Sequence, residues 1–152
     1  MRVADVMTEA SISESPTDSL RAAAELMWRE QTGSLVVLDG TSLVGIITER
    51  DVLQATAEGV DVDALTVGEA MTAEVITTTD DASIHDAARL MAQHWIRHLP
   101  VMDGEKVVGM LSQRDIMGVF AALRRETGDV EIDSDELVRA RRLVRIEQGD
   151  LD

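Results

Sequence analysis

Internal repetition constrains this sequence more than any other feature: residues 3–53, moved forward by 64 positions, lie on 67–117 without a gap, with 17 of 51 positions identical. Ordinary amino-acid usage gives roughly three or four identities by chance. The matches are clustered. Val3, Met7, Thr8 and Ile12 fall on Val67, Met71, Thr72 and Ile76, while Asp39-Gly40, Val44-Gly45 and Arg50-Asp51 fall on Asp103-Gly104, Val108-Gly109 and Arg114-Asp115. A unit this short, present twice, predicts two copies that bury one shared core and enclose a cleft between them. The whole chain of 152 residues is about one compact domain.

Composition removes several classes of chemistry. Hydrophobic residues make up 45% of the chain and aromatics 2%, so Val, Ile, Leu, Met and Ala must supply the packing. With no cysteine, thiolate metal sites, disulfides and cysteine nucleophiles are excluded. Fourteen basic against 29 acidic residues give a net charge of −15, which opposes binding to nucleic acid or an anionic membrane. A small anion is still permitted, because one arginine and a few amides suffice locally. Arg2 is followed at once by Asp5, with no apolar core of an export signal and no apolar run of membrane-spanning length, so a cytoplasmic protein is expected.

Each copy carries the same order of signals. Leu20, Ala23, Ala24 and Met27 recur at helical spacing behind Thr17-Asp18-Ser19, and Ile84, Ala87, Ala88 and Met91 repeat that stripe. Strands are predicted at Leu35–Leu38 and Leu43–Ile47, joined across Asp39-Gly40, and at Leu99–Met102 and Val107–Leu111, joined across Asp103-Gly104. A second helix opens near Thr48 or Ser112 and runs through Asp51–Ala57 or Asp115–Leu123. A short strand at Ser11–Ser13, with its mate at Val75–Thr77, precedes each first helix. Residues 58–66 read as a linker without features of its own. After Phe120, residues 124–132 read as a polar connection and Leu137–Gln148 as a final helix, capped by Asp133-Ser134-Asp135-Glu136, with Arg141, Arg142 and Arg145 on one face.

The order β-α-β-β-α, the leading Val3-Ala4-Asp5-Val6-Met7-Thr8 and Val67-Gly68-Glu69-Ala70-Met71-Thr72, and the run Arg97-His98-Leu99-Pro100-Val101 together resemble a tandem pair of cystathionine-beta-synthase (CBS) domains. Two copies of the signature Gly-x-x-Thr/Ser-x-x-Asp carry the resemblance furthest: Gly45-Ile46-Ile47-Thr48-Glu49-Arg50-Asp51 and Gly109-Met110-Leu111-Ser112-Gln113-Arg114-Asp115. The match covers residues 1–121. It implies an α/β (α+β) fold of two repeats, 1–57 and 67–121, joined by a linker at 58–66, related by a pseudo-two-fold axis and with their sheets packed together. Residues 122–152 follow as a polar connection and an amphipathic helix. It also implies a stand-alone regulatory module that dimerises through the helices of the paired domains.

The signature has a chemistry of its own. A hydroxyl ending a strand, followed three residues later by a carboxylate in the first helical turn, sets both groups beside the unpaired amides of a helix N-terminus. Asp51 or Asp115 can accept two hydrogen bonds from ribose hydroxyls, and Thr48 or Ser112 can face a phosphate. Gly45 and Gly109 would let backbone come close to a ligand. The same residues also satisfy a capping box that needs no ligand.

The resemblance implies that an adenine lies against Ile12, Ile76, Val37 and Val101, positions that core packing explains equally well. It also implies that a phosphate meets Arg97 and His98, with Arg50 and Arg114 near enough to reach one. Gly33-Ser34 replace Arg97-His98 in the first copy, so the two clefts are not equivalent.

His94 and His98 are four apart, but Pro100 places a boundary beyond them and no third ligand is near in sequence, so no metal site is expected; magnesium accompanying a nucleotide is left open. No P-loop, nucleophile elbow or kinase motif occurs, and the single lysine, Lys106, lies on a hairpin strand. The expectation is a non-catalytic regulatory module that binds an adenosine nucleotide (AMP, ADP or ATP type) and signals through conformation or partner binding. The alternative is an interaction module with vestigial clefts that captures a protein partner through the C-terminal helix.

Overall fold

The structure is a computed structural model that describes residues 1–9 and 12–127. Ser11 of the first expected strand, and the C-terminal helix with Arg141, Arg142 and Arg145, lie outside the described residues. The chain divides into two compact units, Met1–Val119 and Phe120–Asp152.

A 3₁₀ turn at Val3–Asp5 leads into β1 (Thr8–Glu9), β2 (Ser13–Glu14), α1 (Leu20–Glu30), β3 (Ser34–Asp39), β4 (Ser42–Thr48) and α2 (Glu49–Ala57). The second copy follows as α3 (Val67–Ala70), β5 (Thr78–Thr79), α4 (Ile84–His94), β6 (His98–Asp103), β7 (Lys106–Ser112) and α5 (Gln113–Thr127). One sheet has the order β2-β3-β4 and the other β1-β7-β6-β5.

Local chemistry sets the boundaries. The Ser19 hydroxyl accepts from the Ala22 amide at 3.1 Å and Ser83 accepts from Asp86 at 3.0 Å, each satisfying an orphan amide at a helix start. Leu20, Ala23 and Met27 turn inward from α1, and Ala87 and Met91 from α4. At the hairpins Gly40 and Gly104 take φ of 63° and 58°, which the tight turn requires. All four hairpin strands extend one residue beyond the apolar runs at each end. The reason is visible in the register, where polar partners close the ladders, Ser34 opposite Thr48 and His98 opposite Ser112. The strand expected at Val75–Thr77 lies at Thr78–Thr79, set by parallel pairing with Val101 and Met102 rather than by the apolar Val75-Ile76 pair. Residues 124–127, expected to open a polar connection, instead continue α5.

The leading segments are exchanged between the copies. Val3 and Ala4 donate to the carbonyls of Ala82 and Asp80, in the second copy, while Val67 and Gly68 donate to those of Asp18 and Pro16, in the first. The Leu20 amide reaches Leu65 and its mate Ile84 reaches Met1. Every one of these bonds has a partner 64 residues away, so the sequence repeat is reproduced as a structural one. β1 then joins β7 with Thr8 opposite Met110, and Thr72 makes the equivalent bridge to Ile46.

Two apolar clusters result, and each contains one residue from the other copy's leading segment. Val67, fully buried, completes the cluster of Leu20, Met27, Leu35, Val37 and Ile47; Val3 completes that of Ala87, Met91, Leu99, Val101 and Leu111. Burial of each valine side chain contributes about 1.5–3 kcal/mol. The linker is not featureless either. Val62 and Leu65 pack on the first cluster, their carbonyls accept from Arg21 and Leu20, and Asp63 forms an ion pair with Arg21.

The exchange also assigns Gly45 and Gly109 a different purpose from ligand approach. A Cβ on Gly109 would lie 2.7 Å from the Thr8 carbonyl oxygen and 2.9 Å from the Met7 sulfur, and one on Gly45 would collide with the Met71 sulfur. These glycines admit the other copy's leading segment, not a ligand.

Candidate functional site

Each signature folds into the strand-to-helix corner expected of it. β4 ends at Thr48 and α2 begins at Glu49; Asp51 Oδ2 accepts from the Thr48 amide at 2.7 Å and from its hydroxyl at 3.1 Å. Asp115 Oδ2 accepts from the Ser112 amide and hydroxyl, both at 2.7 Å, while the Asp115 amide donates back to Ser112 Oγ at 3.3 Å. The capping reading is therefore correct as local structure. It does not exhaust the carboxylates, since neither Oδ1 accepts from a described residue, so an acceptor is left at each corner.

A cavity of about 1190 Å³ opens between the copies, larger than the ~300–1,000 Å³ usual for small-molecule sites. From the first copy come Ile12, Met27, Trp28, Gln31 to Ser34, Glu49 and Val52; from the second come Arg97, His98, Met110, Met117 and Ser112 to Asp115. The cavity thus has apolar lining residues, two arginines, and the hydroxyl and carboxylate of one signature.

Of the residues singled out in the sequence, Ile12, Arg97, His98, Ser112, Arg114 and Asp115 border this cavity, whereas Thr48, Arg50 and Asp51 do not. Val37 and Val101 are wholly buried inside the two apolar clusters, and Ile76 packs against the second; core packing is their observed use. Ile12 is a lining residue with 37% of its surface exposed.

Three lining residues escaped the sequence reading. Trp28 is 81% exposed, an aromatic set just off the buried stripe of α1 where the second copy has Ala92. Ser34 is buried, yet its hydroxyl has no hydrogen-bond partner among the described residues. Glu49 opens α2, and its Oε1 accepts from Arg97 Nη2 at 2.8 Å, an ion pair that crosses from one copy to the other. The signal for Glu49 was present as a difference between repeats, since its mate is the neutral Gln113.

His98 faces Gly33, whose Cβ would lie 3.3 Å from the imidazole Cε1. Burial, then the neighbouring Arg97 charge, holds its pKa below the usual histidine range. The ring is accordingly neutral at physiological pH, with one nitrogen able to donate and the other to accept. Among the described residues no group of three or more His, Asp or Glu side chains is disposed to hold a metal ion. No described helix is long and apolar enough to cross a membrane.

Comparison with known proteins agrees with this architecture. The CBS domain family model matches residues 3–58 and again 67–122. The CBS domain-containing protein YhcV of Bacillus subtilis is 36% identical over 115 residues, covering 75% of this chain and 81% of the relative. A homoserine O-acetyltransferase of Methanosphaera stadtmanae is 36% identical over 121 residues, but the chain spans only 24% of that enzyme. Among solved structures, the CBS domain pair of protein MJ0100, in complex with 5-methylthioadenosine and S-adenosyl-L-methionine, superposes with a TM-score of 0.74 at 29% identity, over 81% of this chain and 98% of that one. Two matched copies, whose leading segments exchange equivalent hydrogen bonds in the structure, place this chain in the CBS domain family as a tandem pair.

Proposed function

We propose that this chain is a non-catalytic regulatory module that binds an adenosine nucleotide in the cavity between its repeats. The observation that carries the reading is the convergence in one cavity of a signature with an unfilled carboxylate oxygen, two arginines and an unpartnered buried hydroxyl. In this reading Asp115 Oδ1 accepts from the ribose hydroxyls, and Ser112 with the first amides of α5 faces the phosphate. Arg97 and Arg114 supply its counter-charge. Ile12, Met27 and the exposed Trp28 ring offer apolar contact to the base. The complex of MJ0100 with two adenosine compounds supports the ligand class.

The ligand would tie the copies together and favour one of their arrangements, to the extent that it binds the two arrangements unequally. We extend the reading to a homodimer: the repeat mates Leu53 and Met117, 68% and 65% exposed on the helices that follow the two signatures, offer an apolar surface to a second copy.

Thermal-shift and calorimetric titration with AMP, ATP, S-adenosylmethionine, methylthioadenosine and NAD tests the reading. A ligand at 100 times its dissociation constant stabilises the wild type by about 2.7 kcal/mol. Asp115→Ala removes that stabilisation and Asp51→Ala retains it. Absence of any response in the wild type leaves the signatures as helix caps alone.

A further inference from the structure

We infer that Glu49 sets the charge selectivity of the cavity by competing with the ligand's phosphate for Arg97; the inference rests on the adenosine reading above. Arg97 borders the cavity together with Arg114, and its Nη2 already donates to Glu49 Oε1 at 2.8 Å. The pair spans the two copies, from the first residue of α2 to the residue preceding β6. Its repeat mate would join Gly33 to Gln113, and neither carries a charge. The acid therefore stands on one side of the cavity only.

Both members are half exposed, 51% for the Arg97 side chain and 58% for Glu49. A pair so hydrated is worth little to the fold and can open at small cost. A phosphate that takes the remaining N–H donors of Arg97 shares the guanidinium with the Glu49 carboxylate and lies beside it as a like charge. Each further phosphate adds to that repulsion, and Glu30, which also borders the cavity, adds to it again. Discrimination thus comes from a repulsive element as much as from an attractive one. A neutral or cationic group at the 5′ position meets no such opposition, because Glu49 and Arg97 remain paired beside it.

The test compares adenosine, AMP and ATP by calorimetry on the wild type, Glu49→Gln, Arg97→Gln and the double variant. The expected result is a rise of about tenfold in the ratio of AMP to adenosine affinity in Glu49→Gln, a larger rise for ATP, and no such rise when Arg97 is also replaced. An unchanged ratio in Glu49→Gln, with adenosine still bound by the wild type, overturns the inference and leaves the functional reading intact. Failure of the wild type and Glu49→Gln to bind any of the three overturns the inference, and overturns the functional reading as well when S-adenosylmethionine, methylthioadenosine and NAD also fail to bind. Thermal unfolding of the variants checks that the fold is kept.

Discussion

At Gly109 the cost of a single methyl group separates two uses of the same signature residue. The nearest atom to an added Cβ is the backbone oxygen of Thr8, 2.7 Å away, and a backbone paired into the ladder at β1 cannot retreat. Gly109→Ala is expected to destabilise by about 1–3 kcal/mol through overpacking, after allowing for the roughly 0.5–1 kcal/mol that alanine recovers in chain entropy. Gly45→Ala costs less, since the first atom in its way is the flexible Met71 thioether, although the Thr72 oxygen at 3.1 Å is close behind. Urea denaturation of the two variants orders them. The sequence showed that both glycines were repeated, but it could not show what approached them, because Met7 and Met71 come from the other copy. For the same reason Val37 and Val101 read equally well as cleft or core. Their alternation along a strand was legible, and the side of the sheet that faced the cavity was not.

Elements bounded by local chemistry were legible, whereas those bounded by distant pairing were displaced or missed. The two hairpins, the capped α1 and α4, and the corners at Thr48 and Ser112 announce themselves within a few residues. β1 and β5 do not, because β1 exists through Met110 and β5 through Val101; α3 did carry a local signal, the Thr66–Glu69 capping box, which was missed inside a segment read as a linker and a repeat start.

The connection between β2 and α1 makes its own prediction. Glu14 is raised to about 7, chiefly by burial and then by hydrogen bonding and repulsion from Asp18; Asp18, bonded to Glu14 and to the Ser15 amide, is lowered. A raised carboxyl binds more protons in the folded state than in the unfolded one, so its stabilisation is complete below about pH 4.5 and is lost as pH rises through about 7. His98 acts in the opposite sense over this range, because its lowered pKa disfavours the protonated form in the folded protein. The difference between proteins isolates Glu14: relative to Glu14→Gln, the wild type should lose melting temperature from pH 5 to pH 7.5. A constant difference across that range contradicts the shift.

At the scale of the molecule, the reciprocal insertion of Val3 and Val67 makes the two cores one cooperative structure. Val67→Ala should cost about 2–3 kcal/mol, the transfer of two buried carbons plus the cavity they leave. It should also lower the stability of both repeats together, read as a single unfolding transition by circular dichroism and by tryptophan fluorescence, with Trp28 in the first copy and Trp95 in the second. Separate transitions would show the copies to be independent.

The order in which the chain is synthesised gives this exchange a further meaning. When the first copy leaves the ribosome its apolar cluster still lacks Val67, and Val3 has nothing to enter until Leu99 and Leu111 have followed. The first cluster can close once Val67 and Met71 have followed, whereas Val3 and the second cluster wait for Leu111, so the nascent chain completes one core midway and keeps its own leading segment unplaced until the second is nearly made.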